Sequence, residues 1–190
     1  MSAIQTPSRP AADPQPWPLS VEAYHVLGEA GLIPKNTELL YGQVYQKMSK
    51  SPLHSGLVLR LLRLLQAVLP PRWLIRPEQP LTCGTSEPEP DLAVVRGLEH
   101  EFWREHPRTA ELVIEVCVSS RDYDRWKIRA YAQAGVKEVW IVLGPEAKVE
   151  VYRQPSGDGF AERHVQGPGG QLSSSVLPRF QLDLDALFRA

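Results

Sequence analysis

Residues 111–118 read Glu-Leu-Val-Ile-Glu-Val-Cys-Val. Leu112-Val113-Ile114 and Val116-Cys117-Val118 enclose a single carboxylate, Glu115. A short β-branched run bounded by polar segments reads as a buried strand. Glu115 then starts from a costly place, because an unpaired carboxylate in a sheet interior shifts its pKa or finds a cation. The bland alternative is a salt bridge to an arginine, or an edge strand with one wet face.

Working back along the chain, Asp91-Leu-Ala-Val-Val (91–95) is a second short buried strand, opened by an acid after Pro90. Alone, an Asp after Pro is a turn or cap residue. Its interest comes from Glu115. Two adjacent buried strands can present one carboxylate each at the same level, and such a pair repels unless a proton or metal sits between them. Magnesium takes one or two carboxylates, keeps waters and gains phosphate oxygens. Residues 83–90 (CGTSEPEP) form an acidic loop before Asp91. Glu78, Glu87 and Glu89 flank the strand and can reach a metal through water, although acids in loops also serve solubility.

Working forward, residues 122–134 read as a helix closed by Gly135. Lys127 lies in it and can reach back over the strand end, orienting or deprotonating an attacking water and stabilising a transferring phosphoryl. Taken alone, it is a solvated lysine beside Arg125 and Arg129. Residues 139–143 and 149–152 read as further strands, followed by Gly-rich loops (PSGDG, GPGG) and a short final helix near 183–188.

The N-terminal half supplies a helix over about 21–30 capped by Ser20, a hairpin over 38–48 turning at Tyr41-Gly42, and a long helix over about 53–69 ended by Pro70-Pro71. The leucines and valines of that helix cover more than one face, which predicts extensive burial. A short strand over 73–76 and a short helix or loop over 98–108 complete the pattern. The predicted class is α/β (α+β), a mixed central sheet flanked by helices. Glu38 precedes the first strand. His54 opens the long helix, where a histidine relays a proton or simply caps and packs. Lys47, Lys50, Arg60 and Arg63 can form a basic patch for backbone phosphates, against the commoner reading of a solvated helix face. His25, His100, His106 and His164 show no metal-ligand spacing.

The chain has 190 residues, enough for one domain with a sizeable core. Residues 18–190 are read as that domain, and 1–17 as a disordered Pro-rich tail. A formal net charge of −1 weighs against a protein that coats nucleic acid passively, but not against an enzyme with a local basic patch. Cys83 and Cys117 make no zinc or disulfide framework, so a reducing cytoplasm is the expectation. No apolar stretch approaches the roughly 20 residues of a membrane span. There is no Walker loop, nucleophile elbow or GxGxxG.

Taken in order, Glu38-Leu-Leu-Tyr-Gly42, Lys50-Ser-Pro-Leu-His54, Ser86-Glu-Pro-Glu-Pro-Asp91, Val113-Ile-Glu-Val116, Asp124-Arg-Trp-Lys127, Tyr131-Ala-Gln-Ala-Gly-Val136 and Glu138-Val-Trp-Ile-Val142 span nearly the whole domain. In this order the chain resembles the Uma-type putative restriction endonucleases of the PD-(D/E)XK nuclease superfamily. The resemblance implies a restriction-endonuclease-like fold and a Mg²⁺-dependent endonuclease acting on nucleic acid, with DNA the expected substrate and Mn²⁺ an alternative ion. It implies that Asp91 and Glu115 are metal ligands, joined by the carbonyl of Val116, with Glu38 supporting the metal and His54 at a recurrent family position. The superfamily lysine normally stands two residues after the acid. Cys117 occupies that place here, and the resemblance assigns the role to Lys127. A homodimer is a further implication. Two rivals remain: a non-catalytic interaction protein on a nuclease scaffold, and a glycoside hydrolase using the same carboxylates.

Overall fold

A computed structural model describes residues 16–119 and 121–189. The tail expected over 1–17 lies, apart from Pro16 and Trp17, outside the described residues.

The centre is a six-stranded sheet in the order β3-β4-β5-β6-β7-β8. These strands are β3 (Trp73–Pro77), β4 (Leu92–Arg96), β5 (Leu112–Cys117), β6 (Glu138–Leu143), β7 (Lys148–Ser156) and β8 (Gly159–Gln166). Only β5 and β6 pair in parallel; every other neighbouring pair is antiparallel. That one parallel step requires a crossover, and α3 (Arg121–Gln133) supplies it. The mixed sheet flanked by helices agrees with the predicted class.

β5 is buried along its whole length, and its side chains alternate between two cores. Leu112, Ile114 and Val116 join a core with Leu57, Leu61 and Leu65 of α2 (Pro52–Gln66) and with Leu184 and Leu187 of α4 (Leu184–Phe188). Val113 and Cys117 join the other core, which contains Ala130 and Tyr131 of α3. Glu115 shares the parity of Val113 and Cys117. It therefore faces α3, and this alternation is what brings a strand acid to a helix lysine.

Two smaller pieces complete the site's frame. β1 (Thr37–Leu40) and β2 (Gln43–Gln46) form a hairpin turning at Tyr41 and Gly42, which have φ of 52° and 76°. Positive φ at both central residues is what a tight hairpin of this twist needs. The hairpin docks on the acidic loop through Glu87 N–H donating to the Leu39 carbonyl at 2.7 Å. α2 starts at Ser51, whose hydroxyl accepts from His54 N–H at 3.2 Å, with Pro52 in the first turn.

Two expectations need correction. α2 is amphipathic, not buried all round: Leu53, Leu59 and Leu64 are 47%, 47% and 39% exposed. The sheet covers one side of it, and the buried stripe is Leu57, Val58, Leu61 and Leu65. The region beyond residue 155, read as Gly-rich loops, contains β8, and beyond it β9 (Gln171–Ser173) pairs with β10 (Gln181–Asp183). β8 is an edge strand with a mostly exposed, polar sequence, so it carries no apolar run to mark it. The short helix or loop expected over 98–108 holds a single 3₁₀ turn at Glu99–Phe102, in line with that expectation. The other elements lie where the sequence puts them, give or take a few residues.

Candidate active site

Asp91 stands just before β4, and Glu115 sits in the second half of β5. Their strands are laced to each other by the carboxylates themselves. Asp91 Oδ2 accepts the Val116 N–H at 2.7 Å, and Glu115 Oε2 accepts the Asp91 N–H at 3.4 Å. The strand acids therefore meet at one level, as their pairing in sequence predicts. His54 Nε2 lies 3.1 Å from Asp91, while its Nδ1 is buried with no hydrogen-bond partner among the described residues.

Lys127 closes the group from α3. Its Nζ is 3.1 Å from Glu38 Oε1, 3.3 Å from Glu115 Oε1 and 4.0 Å from Asp124 Oδ1. It also lies over the Tyr123 ring, 5.2 Å from the centroid. The structure brings together Glu38, Asp91, Glu115 and Lys127, all nearly buried (1%, 8%, 2% and 5% exposed). The reading of Lys127 as a solvated surface lysine fails on that burial. With His54 and the Val116 backbone, they border a cleft of ≈ 290 Å³. Cys117, one alternation further along β5, packs into the α3-side core.

Burial is the main force on Glu115. It pushes the carboxyl up to about 8; Lys127 pulls it down, and Asp91, Asp124 and Glu38 push it up again. Burial likewise works against the Lys127 ammonium, yet Glu115, Glu38 and Asp124 more than offset it, and its pKa is raised overall. The two directions describe one cluster, rich in acid and short of positive charge. Lys127 stays charged, and Glu115 holds a proton more tightly than an ordinary glutamate.

That imbalance suits a divalent cation. Two carboxylates and a main-chain carbonyl are hard oxygen donors of the kind magnesium takes, with waters completing the shell. Among the described residues no three His, Cys, Asp or Glu side chains form a ready-made cage. An ion held here would therefore rest on Asp91, Glu115, the Val116 carbonyl and solvent.

Several contributors escaped the sequence reading. Tyr131 is fully buried and donates its O–H to Glu115 Oε1 at 2.5 Å. Tyr123 donates to Glu38 Oε1 at 2.9 Å, and the Glu89 N–H donates to Glu38 Oε2 at 3.1 Å. Asp124, Lys127 and Tyr131 follow i, i+3, i+7 spacing, so they share one helix face. That spacing was the available signal: a polar stripe on the side of α3 that must face the sheet.

The proposed phosphate patch is not assembled as one surface. Lys47 and Lys50 border the cleft, but Lys47 is ion-paired with Glu89, and Lys50 with Glu78 at 2.5 Å. Arg60 donates instead to the carbonyls of Ala186, Leu187 and Arg189 at 3.1, 2.7 and 2.6 Å, tying down the C-terminal helix. Neither Arg60 nor Arg63 borders the cleft.

The family model described as Uma2, putative restriction endonuclease, matches residues 27–185. Among solved structures, a crystal structure described as a putative nuclease belonging to DUF820, from Anabaena variabilis ATCC 29413, matches with a TM-score of 0.75 at 20% identity. The match covers 90% of this chain and 98% of that one, and at that identity it establishes a shared fold. No curated protein compared with the chain matches it.

Proposed function

The chain belongs to the Uma2 family of putative restriction endonucleases, and from that premise we propose that it is a divalent-metal-dependent nuclease hydrolysing phosphodiester bonds, with DNA as the substrate. The single observation that carries this reading is the Lys127 ammonium, 3.3 Å from Glu115 Oε1 in the cleft that Asp91 also borders. The superfamily's usual strand position for the lysine holds Cys117, and Lys127 of α3 brings its ammonium to within 3.3 Å of Glu115 instead.

A divalent cation bound by Asp91, Glu115 and the Val116 carbonyl would polarise the attacking water and offset charge on the phosphate. The protein's own residues do the rest. Lys127 is kept protonated, so it serves as a fixed positive charge for the developing phosphorane oxygens rather than as a base. Glu38 anchors its Nζ on one side and Glu115 on the other. His54 Nε2 fixes the rotamer of Asp91, and Tyr131 fixes that of Glu115. Among the described residues no helix is long and apolar enough to cross a membrane.

The test is cleavage of plasmid and single-stranded DNA in Mg²⁺, Mn²⁺ and EDTA, comparing the wild type with Asp91→Ala and Lys127→Ala, each checked for folding by circular dichroism. Metal-dependent cleavage lost in both variants supports the proposal. Retained cleavage in both overturns it. No cleavage together with no Mg²⁺ or Mn²⁺ affinity by calorimetry favours the non-catalytic scaffold.

A further inference from the structure

We propose that the substrate strand is unpaired, and that a base next to the scissile phosphate stacks in an aromatic pocket beside the cleft. This rests on the nuclease reading above and names the substrate class it acts on.

The first observation concerns positive charge. A surface that tracks a duplex backbone works by releasing counterions from several phosphates, which needs cations not already neutralised by the protein. Here Lys47 is held by Glu89, Lys50 by Glu78, Arg121 by Glu146 and Arg125 by the buried Glu150. Arg60 is spent on helix-end carbonyls. The formal net charge of the whole chain is −1. Affinity near this cleft has to come from another source.

The second observation supplies one. A hollow of ≈ 720 Å³ adjoins the cleft and shares Met48, Ser119 and Tyr123 with it. Tyr45 and Tyr123 both border the hollow, their ring centroids 6.0 Å apart. Trp126 packs edge-on against Tyr45 at 5.2 Å and stiffens it from behind. Met48, which lines both spaces, is 56% exposed, an apolar side chain left open beside a polar cleft. Unpaired bases stack on such rings whatever their sequence, whereas bases inside a duplex are already stacked on each other. Tyr123 belongs to both spaces: its hydroxyl holds Glu38, and its ring borders the hollow. A base seated there places its own backbone next to the carboxylates.

The test is binding, read by fluorescence anisotropy in EDTA so that cleavage does not enter. The probes are a labelled single-stranded DNA, the same sequence as RNA, and the DNA duplex. The expected result is tighter binding of a single strand than of the duplex, with a shallow salt dependence of fewer than about two released ions. Tyr45→Ala is expected to weaken single-strand binding about 5- to 100-fold, and Tyr45→Phe to restore it. Met48→Glu, at an exposed loop position, is expected to weaken it also and serves as the second variant should Tyr45→Ala unfold. Preference for either sugar supports the proposal and identifies which single strand is meant. Duplex preference in the wild type, or unchanged single-strand affinity in both Tyr45→Ala and Met48→Glu, overturns it. A protein that binds single strands but never cuts would sink the nuclease reading and leave the stacking site as a binding site alone. A protein that cuts duplex without single-strand affinity would do the reverse.

Discussion

Glu115 and Glu138 are both buried glutamates on the parallel strand pair β5-β6, yet they sit at opposite ends and on opposite faces of it. Glu138 pairs across from Leu112 at the start of β6, while Glu115 pairs with Ile141 in the later half of β5. Glu138 is satisfied: Trp140, Arg153, Ser174 and Ser175 donate to it, the Arg153 bond at 2.8 Å and the Ser174 bond at 2.7 Å. Burial raises its pKa, and these bonds together outweigh burial and bring it below the ordinary value. Glu115 has one lysine, one tyrosine and a long backbone bond, set among three other acids. Burial alone therefore does not set a candidate functional acid apart. What sets Glu115 apart is burial among groups that leave its negative charge unanswered.

The largest difference is expected in turnover. Glu115→Gln should lower cleavage on the order of 10²–10³-fold or more, as removal of a group acting on the transition-state charge does, with the fold intact by circular dichroism. Glu138→Gln should leave the turnover of the folded fraction within a few-fold. Equal losses in both would dissolve the distinction.

Stability should run the other way. Glu138→Gln breaks a buried charged network and is expected to cost about 2–4 kcal/mol, or about 4–16 °C in thermal midpoint for a chain of this size. Scanning calorimetry measures it, and a midpoint within a degree of the wild type would contradict the assignment.

Glu115 and a third buried glutamate, Glu150, should also have opposite pH signatures. The folded chain holds the Glu115 proton up to about 8, above the ordinary carboxylate value of 4.5. Its contribution is therefore complete below about 4.5 and is lost as pH rises towards 8. In EDTA, Glu115→Gln should raise the midpoint at pH 8 by a few degrees and leave it unchanged near pH 4.5. Glu150 behaves in the other sense. Burial raises it, but Arg125, Tyr152 and Arg163 bring it down to about 2, so its stabilisation is present above 4.5 and is lost as pH falls towards 2. Removing it with Glu150→Gln should flatten the acid side of the stability profile.

The smallest effect belongs to Lys50. Its pair with Glu78 is exposed on both sides (41% and 49%), and such pairs contribute about 0–1 kcal/mol. Lys50→Ala should shift the midpoint by less than about 4 °C and nucleic-acid affinity by less than about threefold. A larger loss of affinity would restore the phosphate patch as a source of binding.

These comparisons also show how far the sequence could be read. The burial of Glu115 between Ile114 and Val116 was legible, and so were the register of Asp91 and the helix that carries Lys127. The same reasoning, however, applies word for word to Glu150 between Val149 and Val151. The flanking valines and isoleucines do not separate them, because the deciding charges come from elsewhere in the chain: Glu150 is answered by Arg125, 25 residues earlier, and Glu115 by Lys127 and by Tyr131, 16 residues later. The tyrosines of α3 carried no signal of their own, because a phenol resembles a phenyl until its hydroxyl finds an acceptor. Arg60 and Arg63 were grouped with Lys50 by proximity in sequence, but the helix turns them away from the cleft, and Arg60 closes the chain's own end.

Glu38 comes from a hairpin outside the main sheet, and the hydroxyl that holds it, on Tyr123, is 85 residues further along the chain. A loop of that length closes late, after the local helices and hairpins have formed. The cluster proposed for catalysis is thus among the last parts of the molecule to exist during folding. In a refolding experiment, catalytic competence should lag behind the return of helical circular dichroism, which makes the active site a clock for the completion of the fold.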